Sequence, residues 1–280
     1  MRIGLEVDQH RLEWAELLRR VRWGEDHGFD GVWLFDHFKA LYGQGPGPCF
    51  EGWTALAALA AATSRVRLGL LVTGATYRHP SVLAAEAVTV DHVSGGRLEL
   101  GIGAAWFEQE HRELGIPFPP TGERMGRLEE AVEVMRLLMT TDGATFDGRH
   151  FQLRDATYRP RPVQSPHPPL WIGGSGERRT LPLAGRVADV WHCFTSPGAE
   201  YRRQWRIVAE HAEKAGRDPA SILRATNLSL SEPWDEVRAT AEARMADGVG
   251  YLICSWPSEG WERLEEFVAT VLPGPPFSRR

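Results

Sequence analysis

The sequence predicts an α/β protein of the (β/α)8 TIM-barrel class, with a hairpin and proline-rich excursion between its fourth and fifth strands. Three observations predict it. Short apolar runs rich in β-branched residues alternate with longer amphipathic stretches, a pattern that implies parallel strands joined by right-handed crossovers. Several runs are apolar without polar alternation, as strands covered on both faces are. Eight such units fit within 280 residues, a length that barrels commonly reach as one unit.

The strand runs are 2–7, 31–35, 66–73, 97–103, 170–173, 189–194, 223–230 and 249–255. Helical patterns cover 12–27, 53–63, 81–93, 122–139, 178–185, 200–215, 234–247 and 259–271. In the first helix Leu17, Leu18, Val21 and Trp23 lie on or near one face, the spacing of an amphipathic helix. Gly28 ends it, and Pro80 stands where a helix opens. Ser94-Gly95-Gly96 breaks the chain before the fourth strand. The rhythm fails over about thirty residues after Met139. There Phe146 to Phe151 predicts a hairpin with an Asp-Gly turn, and a proline-rich connector follows. The sequence thus predicts one barrel domain over 1–272, with 140–169 as an excursion and 273–280, PGPPFSRR, as a frayed tail.

Composition excludes several function classes. A formal charge of -5 and a pI near 6.1 leave no basic stripe for nucleic acid. Cys49, Cys193 and Cys254 are odd in number, far apart and without a CxxC pair, so neither a disulfide framework nor a zinc knuckle is legible. Reduced thiols fit a cytosolic protein. The opening MRIGLEVDQH carries Glu6 and Asp8 and no apolar h-region, so a cytoplasmic location is expected. No apolar stretch has the length of a membrane span. Most of the eleven Trp are expected to fill the core.

In α/β barrels chemistry sits at the carboxyl ends of the strands. Those ends present His10 after Asp8-Gln9, Asp36-His37-Phe38, Thr73 to Thr76, Ala104-Ala105-Trp106, Gly173 to Gly176, His192, Asn227 and Trp256. Asp36-His37 is the strongest catalytic candidate, because a rim histidine moves protons near neutral pH and a carboxylate beside it can orient it. A solvated rim pair is the bland alternative. Gly173-Gly174-Ser175-Gly176-Glu177 follows a strand and is expected to open a helix, with Arg178 and Arg179 adding charge. Its backbone N–H groups suit a phosphate, although it has neither P-loop nor Rossmann spacing. Gly101-Ile102-Gly103 before Ala104 lacks the third glycine of a dinucleotide fingerprint, and its small residues make room for a flat ring. No HExxH or GxSxG occurs, so no metal is expected. A barrel metallohydrolase using His10, Asp36, His37 and His192 is the remaining metal alternative.

These segments resemble a known family. GFDGVWLFDHF (28–38), VRLGLLVTGATYRHPSVLA (66–84), DHVSGGRLELGIGAAWFEQEHRELGIPFP (91–119) and PLWIGGSGERRTLPLAGRVADVW (169–191) resemble, in order, motifs of the luciferase-like monooxygenase superfamily. The likeness is greatest to its coenzyme F420-dependent oxidoreductases, and it fades after Asn227. The resemblance implies a barrel that binds F420, with His37 on the ring and substrate side and Asp36 beside it. It implies a non-prolyl cis peptide within Leu71-Val72-Thr73 supporting the ring, Thr76 and Arg78 near the ring or the phosphate tail, and the phosphate on Gly173 to Gly176. His10, Phe38, Trp106, His192, Asn227 and Trp256 are expected around the substrate, with Phe38, Trp106 and Trp256 as an apolar wall. The sugar-phosphate branch carries an acidic proton donor after strand four; Ala105-Trp106 stands there here, which argues against a sugar phosphate. The segment from Asn227 to Trp234 is shorter than the family's usual cover, so the site is expected to be open or closed by a partner subunit. The expected activity is hydride transfer between F420 and a small organic substrate, in a homodimer. FMN-dependent monooxygenation and F420 carriage without turnover are the alternatives.

Overall fold

The structure is a computed structural model that describes residues 1–277. Its elements begin with β1 (Arg2–Glu6), α1 (Trp14–Asp26), β2 (Gly31–Leu34), α2 (Gly52–Ala61), β3 (Arg67–Leu70), β4 (Thr73–Gly74), α3 (Pro80–Ser94), β5 (Leu98–Gly103), α4 (Glu108–Leu114) and α5 (Thr121–Thr140). They continue with β6 (Ala144–Asp147), β7 (Gln152–Ala156), β8 (Leu170–Gly173), α6 (Thr180–Val187), β9 (Val190–His192), α7 (Ala199–Lys214), β10 (Leu223–Leu228), α8 (Trp234–Ala246), β11 (Tyr251–Ser255) and α9 (Trp261–Glu266). With β3 and β4 counted as one interrupted strand, this is the alternation of a (β/α)8 barrel carrying the β6–β7 excursion between its fourth and fifth strands. The interruption falls at Leu71–Val72, whose peptide bond is cis.

Two compact units are distinguished in the chain. The first comprises Met1–Asp8, Trp14–Leu34 and the chain from Trp171 onward. Its strands run β2-β1-β11-β10-β9-β8, every neighbouring pair parallel. Trp33, Trp171 and Tyr251 are fully buried; Trp33 and Trp171 meet at a tilt with centroids 4.3 Å apart, and Trp171 and Tyr251 edge to face at 5.4 Å. Position 4 must be glycine for this cluster to fit, since a Cβ there would stand 2.8 Å from Trp33 Nε1 and 3.1 Å from the Tyr251 ring. Gly185 does similar work between α6 and α7, where a Cβ would press on the backbone of Val208 and Ala212. The tail departs from the frayed expectation as far as it is described. Phe277 is buried and packs at 5.5 Å on Phe267, because an apolar ring that can reach a core does so despite the surrounding prolines. Residues 278–280 lie outside the described residues.

The second unit comprises Gln9–Glu13 and Phe35–Leu170. Here β3 and β4 both pair with β5 in parallel. The helix signals act as expected on α3: Pro80 occupies its first turn, His79 caps it by accepting from Ser81 N, and Gly95 ends it at φ 68°. The excursion is a hairpin, but its turn is longer than a two-residue Asp-Gly turn. Asp147 pairs with Gln152, and the loop between them is held by the Glu130 carboxylate, which accepts from the backbone N–H of Arg149, His150 and Phe151. The short helix α4 was not expected, and it supplies a central part of the site below.

Candidate functional site

The second unit takes up the chain after β2 at Phe35-Asp36-His37. Gln9 clamps this exit by accepting from Phe35 N at 3.1 Å and donating to Phe35 O at 2.5 Å. The His37 ring is then fixed from α4: its Nδ1 lies 3.0 Å from Glu110 Oε2. A carboxylate only accepts, so Nδ1 carries the hydrogen and Nε2 is the nitrogen left over. Glu110 is fully buried and receives three further donors, Tyr77 OH at 2.5 Å, Phe38 N at 2.8 Å and Lys39 N at 3.1 Å. Burial alone would raise its pKa, but the hydrogen bonds from His37, Tyr77 and Phe38 outweigh it and hold Glu110 below the usual carboxylate range. Burial, with the bond to Glu110 and its charge, pushes the Tyr77 phenol far above its ordinary value. Around the imidazole stand Phe35, Trp106 and Phe107, edge-on at 5.6, 5.6 and 5.9 Å. Trp106 is 64% exposed, the rare case of a large apolar side chain left open beside a buried charge network.

The Asp36 carboxylate serves a different partner. Arg78 grips it through two nitrogens at 2.7 and 3.0 Å, and Gly74 N donates to it at 3.0 Å. The guanidinium also meets Glu51 and Glu86. Burial raises the Asp36 carboxyl and outweighs the pull of Arg78 and the Gly74 N–H. Thr76 donates its hydroxyl hydrogen to His111 Nε2 at 2.7 Å, because His111 Nδ1 is committed to Phe107 O. Thr73 accepts from Trp53 Nε1 at 3.1 Å. Ala104 and Ala105 are partly exposed, whereas Gly103 is buried. His10 packs against Phe35 and Tyr42, and Phe38 against Tyr77.

In the first unit, the strand ends carry Glu6, His192, Asn227 and Ser255. Asn227 Nδ2 donates to Glu6 Oε2 at 2.9 Å, while Asn227 Oδ1 accepts from His192 Nε2 at 2.7 Å. His192 is buried, which pushes it down to about 4 despite the bond to Asn227. At Gly173 to Glu177, Gly174 takes φ 126°, which a side chain would resist. The backbone N–H groups of Ser175, Gly176 and Glu177 donate to nothing among the described residues. The Glu177 carboxylate pairs with Arg203, and Arg178 is exposed. The helix itself starts only at Thr180, later than expected. Trp256 lies under the Arg20 guanidinium at 3.7 Å.

Comparison with known proteins identifies this constellation's setting. The model of the family described as luciferase-like monooxygenase matches residues 1–270. The chain belongs to that family. It is 32% identical over 248 residues to an F420-dependent glucose-6-phosphate dehydrogenase of Kineococcus radiotolerans, covering 87% of this chain and 72% of the relative. Its fold is shared with an F420-dependent secondary alcohol dehydrogenase solved with an F420-acetone adduct (TM-score 0.87, 19% identity, 100% and 99% of the two chains). It is shared too with the F420-dependent tetrahydromethanopterin reductase of Methanopyrus kandleri (TM-score 0.83, 18% identity, 97% and 98%).

The structure therefore brings His37 together with Phe38 and Trp106 in the second unit, and His192 with Asn227 in the first. It corrects one expectation for this family member. Asp36 does not orient His37: its oxygens are taken by Arg78 and Gly74, and the orienting carboxylate is Glu110. Arg78 is committed to carboxylates, so its charge is already balanced, and a phosphate tail would have to compete with three acids. His192 is only 2% exposed, and its ring is bonded to the Asn227 amide. Sequence reasoning missed Glu110, Tyr77 and Glu6. The one signal for Glu110 was its place beside His111 in an acidic turn after strand four, where Glu108 competes for the same notice.

Proposed function

We propose that this chain is an oxidoreductase that passes a hydride between coenzyme F420 and a small organic substrate, with His37 at the reacting edge. The carrying observation is the imidazole itself: Nδ1 is committed to buried Glu110, which leaves Nε2 for a ligand. A histidine held this way accepts or returns a proton while the carboxylate behind it balances the charge. When bound, the deazaflavin supplies the hydride donor or acceptor at C5. The residues present suit a flat ring: Val72, Ala104 and Ala105 are partly exposed and add only methyl groups, and no charged side chain stands among them. Leu71, Val72, Thr73, Gly103 and Ala104 would hold the ring by backbone and small side chains, with Thr76 offering its oxygen as an acceptor.

The names of the Kineococcus relative and of the two solved proteins support F420 as the cofactor. For the cofactor's phosphate we assign Gly173 to Gly176 with Glu177 and Arg178, on the strength of the undonated N–H groups there. His10, Phe38, Trp106, His192, Asn227 and Trp256 are assigned to the substrate side. Exposed Trp106 in the place of an acid favours a substrate less polar than a sugar phosphate. A homodimer in the cytoplasm completes the reading. No helix among the described residues is long and apolar enough to cross a membrane.

Titration of the protein into F420 tests the assignment. Quenching of F420 fluorescence to saturation, undisturbed by equimolar FMN, is expected. Tight FMN binding without F420 quenching would replace the cofactor and the function with it. Elution on sizing at twice the mass of 31.3 kDa is expected for the dimer, and elution at the monomer mass would remove that part.

A further inference from the structure

The donors to Glu110 divide by oxygen, and all of them lie in the second unit. Oε1 takes the backbone N–H of Phe38 at 2.8 Å and of Lys39 at 3.1 Å. Oε2 takes His37 Nδ1 at 3.0 Å and the Tyr77 hydroxyl at 2.5 Å. The backbone pair holds the acid in place. The other two compete, because an imidazole and a phenol on one oxygen each draw on the same negative charge. Against burial, the bonds from His37 and Tyr77 are the two largest influences that lower Glu110.

The Tyr77 hydroxyl is aimed by its own ring. Gly74 leaves the room the ring fills, since a Cβ at position 74 would stand 2.6 Å from two of its carbons. The ring stacks on His111 of α4, with centroids 4.6 Å apart, and meets Phe38 edge-on at 5.0 Å. His111 is fixed in turn, its Nδ1–H donating to Phe107 O and its Nε2 accepting from Thr76. The phenol keeps its hydrogen, because burial, the bond to Glu110 and the charges of Glu110 and Asp36 push it far above its ordinary value.

The other charges around this trio have partners of their own. Asp36, Glu51 and Glu86 meet Arg78. The Lys39 ammonium goes to Glu113 of α4. Glu108 and Arg112 of α4 are exposed, and the Cys49 thiol donates to the His37 carbonyl at 3.4 Å. The state of the imidazole is therefore set at Glu110 Oε2.

We propose that Tyr77 is a positioning residue of the hydride reaction: by drawing on Glu110 Oε2 it limits the carboxylate's hold on the His37 ring, and so keeps Nε2 able to exchange a proton. The proposal rests on the reading of His37 given above. Without the phenol, Oε2 has one donor, its charge is turned wholly on Nδ1, and the doubly protonated ring is favoured. Tyr77 thus separates a histidine that turns over from one locked as an imidazolium–carboxylate pair.

Tyr77→Phe keeps the ring with its contacts to His111 and Phe38 and removes only the hydroxyl. In the protein without cofactor, heteronuclear NMR of the His37 ring should show its second proton taken up at a pH roughly 0.5–1 unit higher than in wild type. A fluorinated tyrosine at position 77, a more acidic phenol and a stronger donor, should move the same transition down. With reduced F420 and a panel of small ketones, aldehydes and activated alkenes, the limb of the pH–rate profile that belongs to His37 should move with it in each variant. A tyrosine that merely fills space would leave both transitions where they are. Unmoved transitions, or shifts of one sign in both variants, overturn the proposal. A wild type that binds F420 but reduces none of the panel overturns the hydride reading beneath it, whereas the NMR shifts test Tyr77 independently of turnover.

Discussion

Glu110 of α4 and Glu6 at the end of β1 are both carboxyl groups, and their surroundings send them in opposite directions. Glu110 has no solvent exposure, yet four donors, one an imidazole, hold it ionised. Glu6 is more open, but burial and the Asp8 charge raise its carboxyl well above the ordinary range, and its two neutral donors offset only part of that. Burial raises both carboxyl groups, and the number and charge of the donors decide whether that rise is offset. The first kind of site holds a histidine in place; the second favours the neutral acid.

The comparison is broken most severely by removing compensation from a buried charge. Arg78→Ala leaves Asp36 without its cation, and we expect a loss of about 3–5 kcal/mol, as for other broken buried pairs. Urea unfolding measures it, and a loss within error would show that Asp36 is protonated already. Glu110→Gln should cost about 1–3 kcal/mol, because an amide presents a donor to groups that all donate. The sign in pH follows. Glu110 is depressed in the fold, so its contribution is full above the ordinary value of 4.5 and fades as pH falls through the lower folded value. The gap between wild type and Glu110→Gln should therefore close in acid. Glu6 runs the other way: its folded pKa is raised, so wild type loses stability relative to Glu6→Gln as pH climbs from 4.5. The gentlest change is Gly74→Ala, whose Cβ would stand 2.6 Å from the Tyr77 ring that caps Glu110. About 1–3 kcal/mol is expected from such overpacking, most of it felt as a looser Tyr77.

The fold was legible because its signals are local. Apolar runs, Gly28, Pro80 and the Ser94-Gly95-Gly96 break each act within a few residues. Helix α4 was not legible: it is short, and Phe107 offers no side-chain cap. The site was legible only in part for the same reason. His37 stands at a strand end and shows itself, but its partner Glu110 is 73 residues away and Arg78 is 42 residues from Asp36. A neighbouring carboxylate in sequence, Asp36, was the natural guess and is the wrong one, because successive residues at a strand end point to opposite sides. Glu6 was overlooked because the first strand was read through Val7, placing its polar end at Asp8-Gln9-His10. The strand stops at Glu6, which makes that residue the first at the rim.

The central claim is that this chain moves a hydride, and the label that follows it is deuterium. Reduced F420 deuterated at C5 is mixed with the protein and the panel of small carbonyl compounds and alkenes, and the products are weighed by mass spectrometry. The account predicts one carbon-bound deuterium in the product, with the rate of labelling cut roughly 10²–10⁴-fold in His37→Ala. Deuterium lost to water, or product formed only with FMN and oxygen, would contradict it.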